Sequence, residues 1–349
     1  MNSVSSISSR IALLIVVAVL CALVPIPAPT VERVYSMGFY PVVQATLTRV
    51  SNYMPVALLD IAAGLLLAGA GFVLRSRVRS LGVRRAVLQG SIAAAGAVAL
   101  IYLAFLAVWG LNYRRVPLEQ KLDYDPSRLT RDAAMAFANT AASEVNAGYA
   151  GAHAAPPQMP ALQSSFADAQ RALGASRVAV TGVPKRSLLT LYFRYAAIDG
   201  MTDPWFLEII VNPDVLEFER PFVVAHEWAH LAGYANEAEA NFVGWMTCVR
   251  ADAAARYSGW LAAYQHAMGA LSRPDRRLVT PLERGPLDDL RAMSARYARS
   301  SPVVRQAARN AYNEYLRANR VAEGIGSYDA VVKLMIGTRF DPHWTPVRR

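Results

Sequence analysis

The chain has 349 residues, 54% hydrophobic and 18% charged, with a formal charge of +10. That balance is too apolar for a protein soluble throughout, and the excess lies in the first third. The basic charge is almost all arginine, and Arg75, Arg77, Arg79, Arg84 and Arg85 crowd between two apolar runs. This is the pattern of a cytoplasmic membrane loop, so no nucleic-acid partner is expected.

In chain order, three apolar runs come first, at about residues 11–27, 54–74 and 86–111. Each approaches the roughly 20 residues that a helix needs to cross a bilayer. The first also has the features of a signal peptide: a short positive start and small residues around Pro27 and Ala28. Residues 1–113 therefore read as a membrane anchor with three transmembrane helices. With the arginine-rich loop kept in the cytoplasm, the third span runs outward and residues 114–349 form an extracytoplasmic domain. Arg114 and Arg115, directly after that span, oppose this orientation. Asp60, just after Pro55, reads as sitting near the outer end of its span. Cys21 and Cys248 are too far apart in sequence, and too differently placed, to make a disulfide framework or a CxxC site.

The remainder reads as mainly helical with a small sheet, an α+β domain. Leu129–Ala147 and Leu162–Leu173 have helical composition and are split by Pro156, Pro157 and Pro160. Ser187–Tyr195 and Phe206–Val211 read as strands, separated by Asp199-Gly200 and Asp203-Pro204 turn signals. Pro213 predicts that the second strand ends at a sheet edge, where an extended peptide could pair with it.

The chemistry is concentrated in Pro221-Phe-Val-Val-Ala-His-Glu-Trp-Ala-His-Leu-Ala-Gly233. Proline in the first turn and glycine past the last mark a helix of about three turns. His226 and His230, four apart, share one face and can hold one zinc ion. Glu227 projects beside the metal, where it can take a proton from water and pass it to a leaving amine. Asn236 is a good N-cap for a second helix, with Glu237 as the expected third ligand. Glu239 is the alternative ligand, although its position also suits a capping box with Asn236. Asn241, one turn beyond Glu237, is expected to orient a ligating histidine. Tyr315, Tyr328 and His266 are candidate donors to a developing oxyanion.

The run from Glu237 to Asn241 after HExxH resembles the glutamate-zincin pattern, and Asn236 to Gly244 looks like the third-ligand helix of thermolysin-type peptidases. The chain departs from both by having Asn241 where an aspartate is usual and a short gap between His230 and Glu237. More closely, it resembles a bacterial membrane family catalogued as domain of unknown function 3810. The resemblance runs through Trp109–Pro117, Val211–Pro213, the HEWAH helix with Glu237–Phe242, Tyr312–Leu316 and Ser327-Tyr328. It implies a zincin-like fold and peptidase activity at the bacterial cytoplasmic membrane.

The expectation is a multi-pass, membrane-anchored zinc metallopeptidase. Its partners would be the lipid bilayer and polypeptides of the cell envelope. The competing expectation is a non-catalytic, metal-stabilised membrane module that binds a partner protein.

Overall fold

The computed structural model describes residues 2–319 and 328–349, with side chains from 9 to 319 and from 330 to 349. Helix α1 (Asn2–Leu23) ends where Pro25 and Pro27 break the pattern. The chain then bends by 109° into an arm, Ala28–Asn52. The arm comprises α2 (Ala28–Thr30), a π-helical stretch (Val31–Phe39) and α3 (Tyr40–Asn52). Pro41, with no N–H to offer the preceding turn, lies where the wider winding gives way to α3.

Helices α4 (Leu58–Leu81) and α5 (Val83–Val108) are long and apolar enough to cross a membrane. The bent pair of α1 and the arm makes up to a third candidate span. The expected arginine loop is instead helical. Arg75, Arg77 and Arg79 lie on α4, Arg84 and Arg85 on α5, and Gly82 alone separates the two helices. Gly82 turns the chain at φ +79°, a conformation open to glycine.

Short α6 (Leu118–Lys121) leads to α7 (Arg131–Ala154) and α8 (Met159–Ala172), as the helical composition predicts. Ser187–Tyr195 differs from expectation, because helix α9 (Thr190–Ala196) occupies most of it. The cause lies far away in sequence. Asp60, in the first turn of α4, accepts hydrogen bonds from Ser187 Oγ at 2.6 Å and from Leu188 N at 2.8 Å, fixing the entry to α9. Asp60 thus sits in the first turn of α4, bonded to the segment that leads into α9.

Strand β1 (Gly200–Asp203), which begins and ends on residues read as turn signals, pairs antiparallel with β2 (Glu208–Val211). Lys185 pairs with the other side of β2, donating to Ile209 O and accepting from Val211 N. Strand β2 is therefore enclosed, and the free edge belongs to β1, not to Phe206–Val211 as the sequence suggested.

Further helices follow, α10 (Arg220–Leu231), α11 (Glu237–Cys248), α12 (Ala253–Ala270), α13 (Arg273–Arg276), α14 (Arg284–Ala298), α15 (Pro302–Ala318) and α16 (Tyr328–Gly337), before a non-helical end over 338–349. Trp228, Trp245 and Trp260 are fully buried among them. The apolar core does not stop at residue 113. Val31, Tyr35 and Tyr40 from the arm, with Phe105, Leu106 and Trp109 from α5, share one continuous cluster with α7, α10, α11 and α12.

Candidate metal centre

Helix α10 starts with Pro221 in its first turn and ends in a glycine-based cap. Gly233, at φ +83°, lets its own N–H reach His230 O and Tyr234 N–H reach Ala229 O, closing the last turn as a Schellman motif. Three residues later Asn236 caps α11, its side chain accepting from Ala238 N at 2.8 Å and Glu239 N at 3.3 Å. The two helices cross closely because Gly244 lies against the His226 backbone, where a Cβ would come within 3.1 Å of His226 N. This tight turn and close crossing bring the first turn of α11 over the middle of α10.

His226, His230 and Glu237 consequently converge. The two histidine Nε2 atoms are 3.1 Å apart. His226 Nε2 lies 3.4 Å from Glu237 Oε2, and His230 Nε2 lies 3.5 Å from Glu237 Oε1. Ligands at roughly 2.0–2.1 Å from a tetrahedral zinc sit about 3.3 Å from one another. The spacing of the three donors fits that geometry, and two imidazoles with one carboxylate suit zinc chemically.

His230 Nδ1 lies 2.8 Å from Tyr234 O, which favours the tautomer with the proton on Nδ1 and the Nε2 lone pair turned to the cluster. His226 Nδ1 is buried with no hydrogen-bond partner among the described residues. Asn241 therefore orients neither imidazole; for His230 that task falls to a backbone carbonyl the sequence does not advertise. Burial pushes the His230 imidazolium down. The Glu237 carboxylate more than offsets this and holds its pKa up to about 9. Burial likewise pushes Glu237 up, but His230 and His226 hold its carboxyl well below the usual range.

Glu227 is buried beside the cluster. Burial raises its carboxyl above the ordinary value, against the pull of both histidines. Thr202 Oγ, on β1, lies 2.9 Å from Glu227 Oε2 and can donate to it. Gly200 leaves room for the other oxygen, since a Cβ there would come within 2.7 Å of Glu227 Oε1.

Glu239 points elsewhere, accepting from Leu118 N at 2.6 Å. It serves neither as a ligand nor as the carboxylate of a capping box. Among the tyrosines, it is Tyr312 that reaches the cluster, its hydroxyl donating to Glu237 Oε1. Tyr315 stacks behind it with ring centroids 6.0 Å apart and contacts Phe105 and Tyr113. The side chain of Tyr328 lies outside the described residues, as does Ser327. His266 is close enough to His226 for that residue's charge to lower its pKa, after the larger effect of burial, to about 4.

The end of α5 forms part of the site's wall. Trp109 Nε1 donates to His230 O at 3.0 Å, and its ring meets the His230 ring edge to face. Arg115 donates to Gly233 O at 3.0 Å and is paired with Glu32 of the arm, bracing the turn between the two ligand-bearing helices.

Fold and site together define a largely helical chain with apolar helices of membrane-spanning length and a cluster of two histidines and one glutamate at their end. Residues 35–336 match the family described as protein of unknown function, DUF3810, and the chain belongs to that family. The match takes in most of the arm, helices α4 and α5 and the whole cluster as one unit. No curated protein and no solved structure matches the chain.

Proposed function

We propose that this protein is a membrane-anchored, zinc-dependent metallopeptidase with a zincin-like domain. The observation that carries the reading is the convergence of His226 Nε2, His230 Nε2 and the Glu237 carboxylate at 3.1–3.5 Å. These three residues would hold the ion. A zinc ion there supplies Lewis acidity to a carbonyl and acidifies a neighbouring water. Glu227, its pKa raised by burial, takes the proton of the attacking water and delivers it to the leaving amine. Thr202 steadies that carboxylate, and Tyr312 supplies a donor where negative charge develops.

Strand β1 supports a peptide substrate. Ile209 and Val211 direct their backbone groups to Lys185, so Glu208 and Ile210 face β1. By register, Met201 and Asp203 then bond β2, leaving the backbone groups of Gly200 and Thr202 directed outward. An extended chain added there would run past Glu227.

The arginines favour an outward-facing domain. Arg75–Arg85 lie at the hairpin end of α4 and α5, opposite the domain. Arg115, which argued against this orientation in sequence, is neutralised by Glu32.

The test combines elemental analysis of purified protein with cleavage of a peptide library by the wild type and by Glu227→Gln. Zinc in both proteins and cleavage by the wild type alone is the expected result. Full activity in Glu227→Gln would overturn the assigned role. Zinc in both with cleavage by neither would favour the non-catalytic module.

A further inference from the structure

A helix on the surface of a water-soluble domain turns its apolar stripe inward and its polar side out. The arm Ala28–Asn52 departs from this plan: beside the buried Val31, Tyr35 and Tyr40 it also buries a polar row, and it leaves a second apolar row outside. Glu32, Ser36, Gln44, Thr48 and Ser51 are all buried against the domain. Val34, Phe39, Val42 and Val50 face outward with 50–61% of their surface exposed, and Tyr53, just beyond, is 88% exposed.

The inward polar groups, the Tyr35 hydroxyl excepted, find partners. Glu32 pairs with Arg115 and Lys121, and Ser36 donates to Asn112 Oδ1. Tyr40 donates to Leu231 O, Gln44 exchanges hydrogen bonds with the Val180 backbone, and Thr48 donates to Leu207 O. These bonds fix which face of the arm is turned to the domain and leave the outer apolar row exposed. Left to water, the outer row, broken at Thr46, would be an exposed apolar strip of the kind that marks an interaction surface.

The neighbours of the arm indicate what covers it. It leaves apolar α1 through a 109° bend and delivers the chain to α4 five residues after its end. Arg114 donates to Cys21 O, tying the end of α1 to the end of α5. Both ends of the arm therefore lie at the level where the apolar helices emerge. A helix lying flat in the interface has its apolar face in the acyl boundary and its polar face turned away. Arg33 and Arg49, both exposed, have side chains long enough to reach lipid phosphates from such a position.

We propose that the arm Ala28–Asn52 lies flat in one surface of the bilayer. Val34, Phe39, Val42 and Val50 enter the acyl boundary, and the polar face forms the seat on which the domain rests. This inference does not depend on the peptidase reading.

The test uses the full chain in a Cys21→Ser background, since Cys248 is buried. Single cysteines are placed at exposed outer positions, Val34→Cys, Val42→Cys and Val50→Cys, with Arg291→Cys on α14 as a control. Each is labelled with an environment-sensitive fluorophore and reconstituted in phosphatidylcholine–phosphatidylglycerol vesicles. Quenching is then compared for lipids carrying a nitroxide just below the headgroup, lipids carrying it near the chain end, and aqueous iodide. The expected result is several-fold stronger quenching of the three arm probes than of the control by the shallow nitroxide, with protection from iodide. Iodide quenching equal to that of the control would overturn the proposal. So would strongest quenching by the deep nitroxide, which would mean re-entrant insertion, or protection from all three quenchers, which would mean a protein partner.

Discussion

The Tyr312 hydroxyl donates to Glu237 Oε1, the carboxylate that meets His226 and His230. A tyrosine so placed can stabilise charge developing at the reacting centre, and removing a single donor of this type typically costs about 10²–10³ in kcat. Tyr312→Phe is expected to lose activity within that range while binding stoichiometric zinc. Steady-state kinetics with metal analysis on the same sample checks this, and an unchanged kcat would remove Tyr312 from the mechanism.

Gly200 fits because Glu227 occupies the space a side chain would need. Gly200→Ala should push the Glu227 carboxylate aside, and a displacement on the order of 1 Å can cost about 10²-fold in rate. The variant should keep its zinc and its circular dichroism spectrum while kcat/KM falls. Wild-type kcat/KM in a folded variant would show that the carboxylate tolerates the shift.

The buried Lys185 ammonium is fully engaged. It donates to Glu208 Oε2, Ser51 O and Ser51 Oγ, each at 2.7 Å. Glu208 also accepts from Leu58 N and Leu59 N at the start of α4. Lys185→Met should destabilise by about 3–5 kcal/mol, because it strands a buried carboxylate. Lys185→Met combined with Glu208→Leu should recover part of that loss. Denaturant titration in detergent micelles reads both, and equal stabilities for the single and double variants would contradict the pairing.

Asp203 is buried, and burial raises its carboxyl to about 6 despite hydrogen bonds from Phe206 N and Trp205 N. A folded-state pKa above the ordinary 3.8 means that the native protein holds this proton more tightly than the unfolded chain. The contribution is full at low pH, falls as pH rises from about 4 to about 6, and totals roughly 3 kcal/mol. Asp203→Asn should flatten that part of the profile. Thermal melts across the window test the sign, and an unchanged slope in the variant would reassign the titration.

The local signals around the cluster were legible in sequence. Pro221 and Gly233 bound α10, Asn236 caps α11, and four-residue spacing puts His226 and His230 on one face. What could not be read depends on distant partners. Helix α9 resembles a strand in composition, and its start is fixed by Asp60, 127 residues earlier. Gly200 looked like a turn residue, yet it serves in β1 because Glu227 needs the room. Tyr312 and Tyr315 are three apart on α15, and only the rotation of that helix against α5 decides which one faces Glu237. The arm carries apolar residues on two faces, Val31, Tyr35 and Tyr40 inward and Val34, Phe39, Val42 and Val50 outward, so no single apolar stripe marks it in the sequence.

The apolar cluster that joins Val31, Tyr35, Tyr40, Phe105, Leu106 and Trp109 to α10 and α11 has a practical consequence. A shortened version beginning at residue 114 would lose the ring that bonds His230 O, the phenol that bonds Leu231 O and the carboxylate that neutralises Arg115. Trimming the chain for easier handling in water would remove pieces of the very scaffold whose chemistry is to be assayed. Purification therefore has to carry the hydrophobic helices along, in micelles or nanodiscs, from the first step.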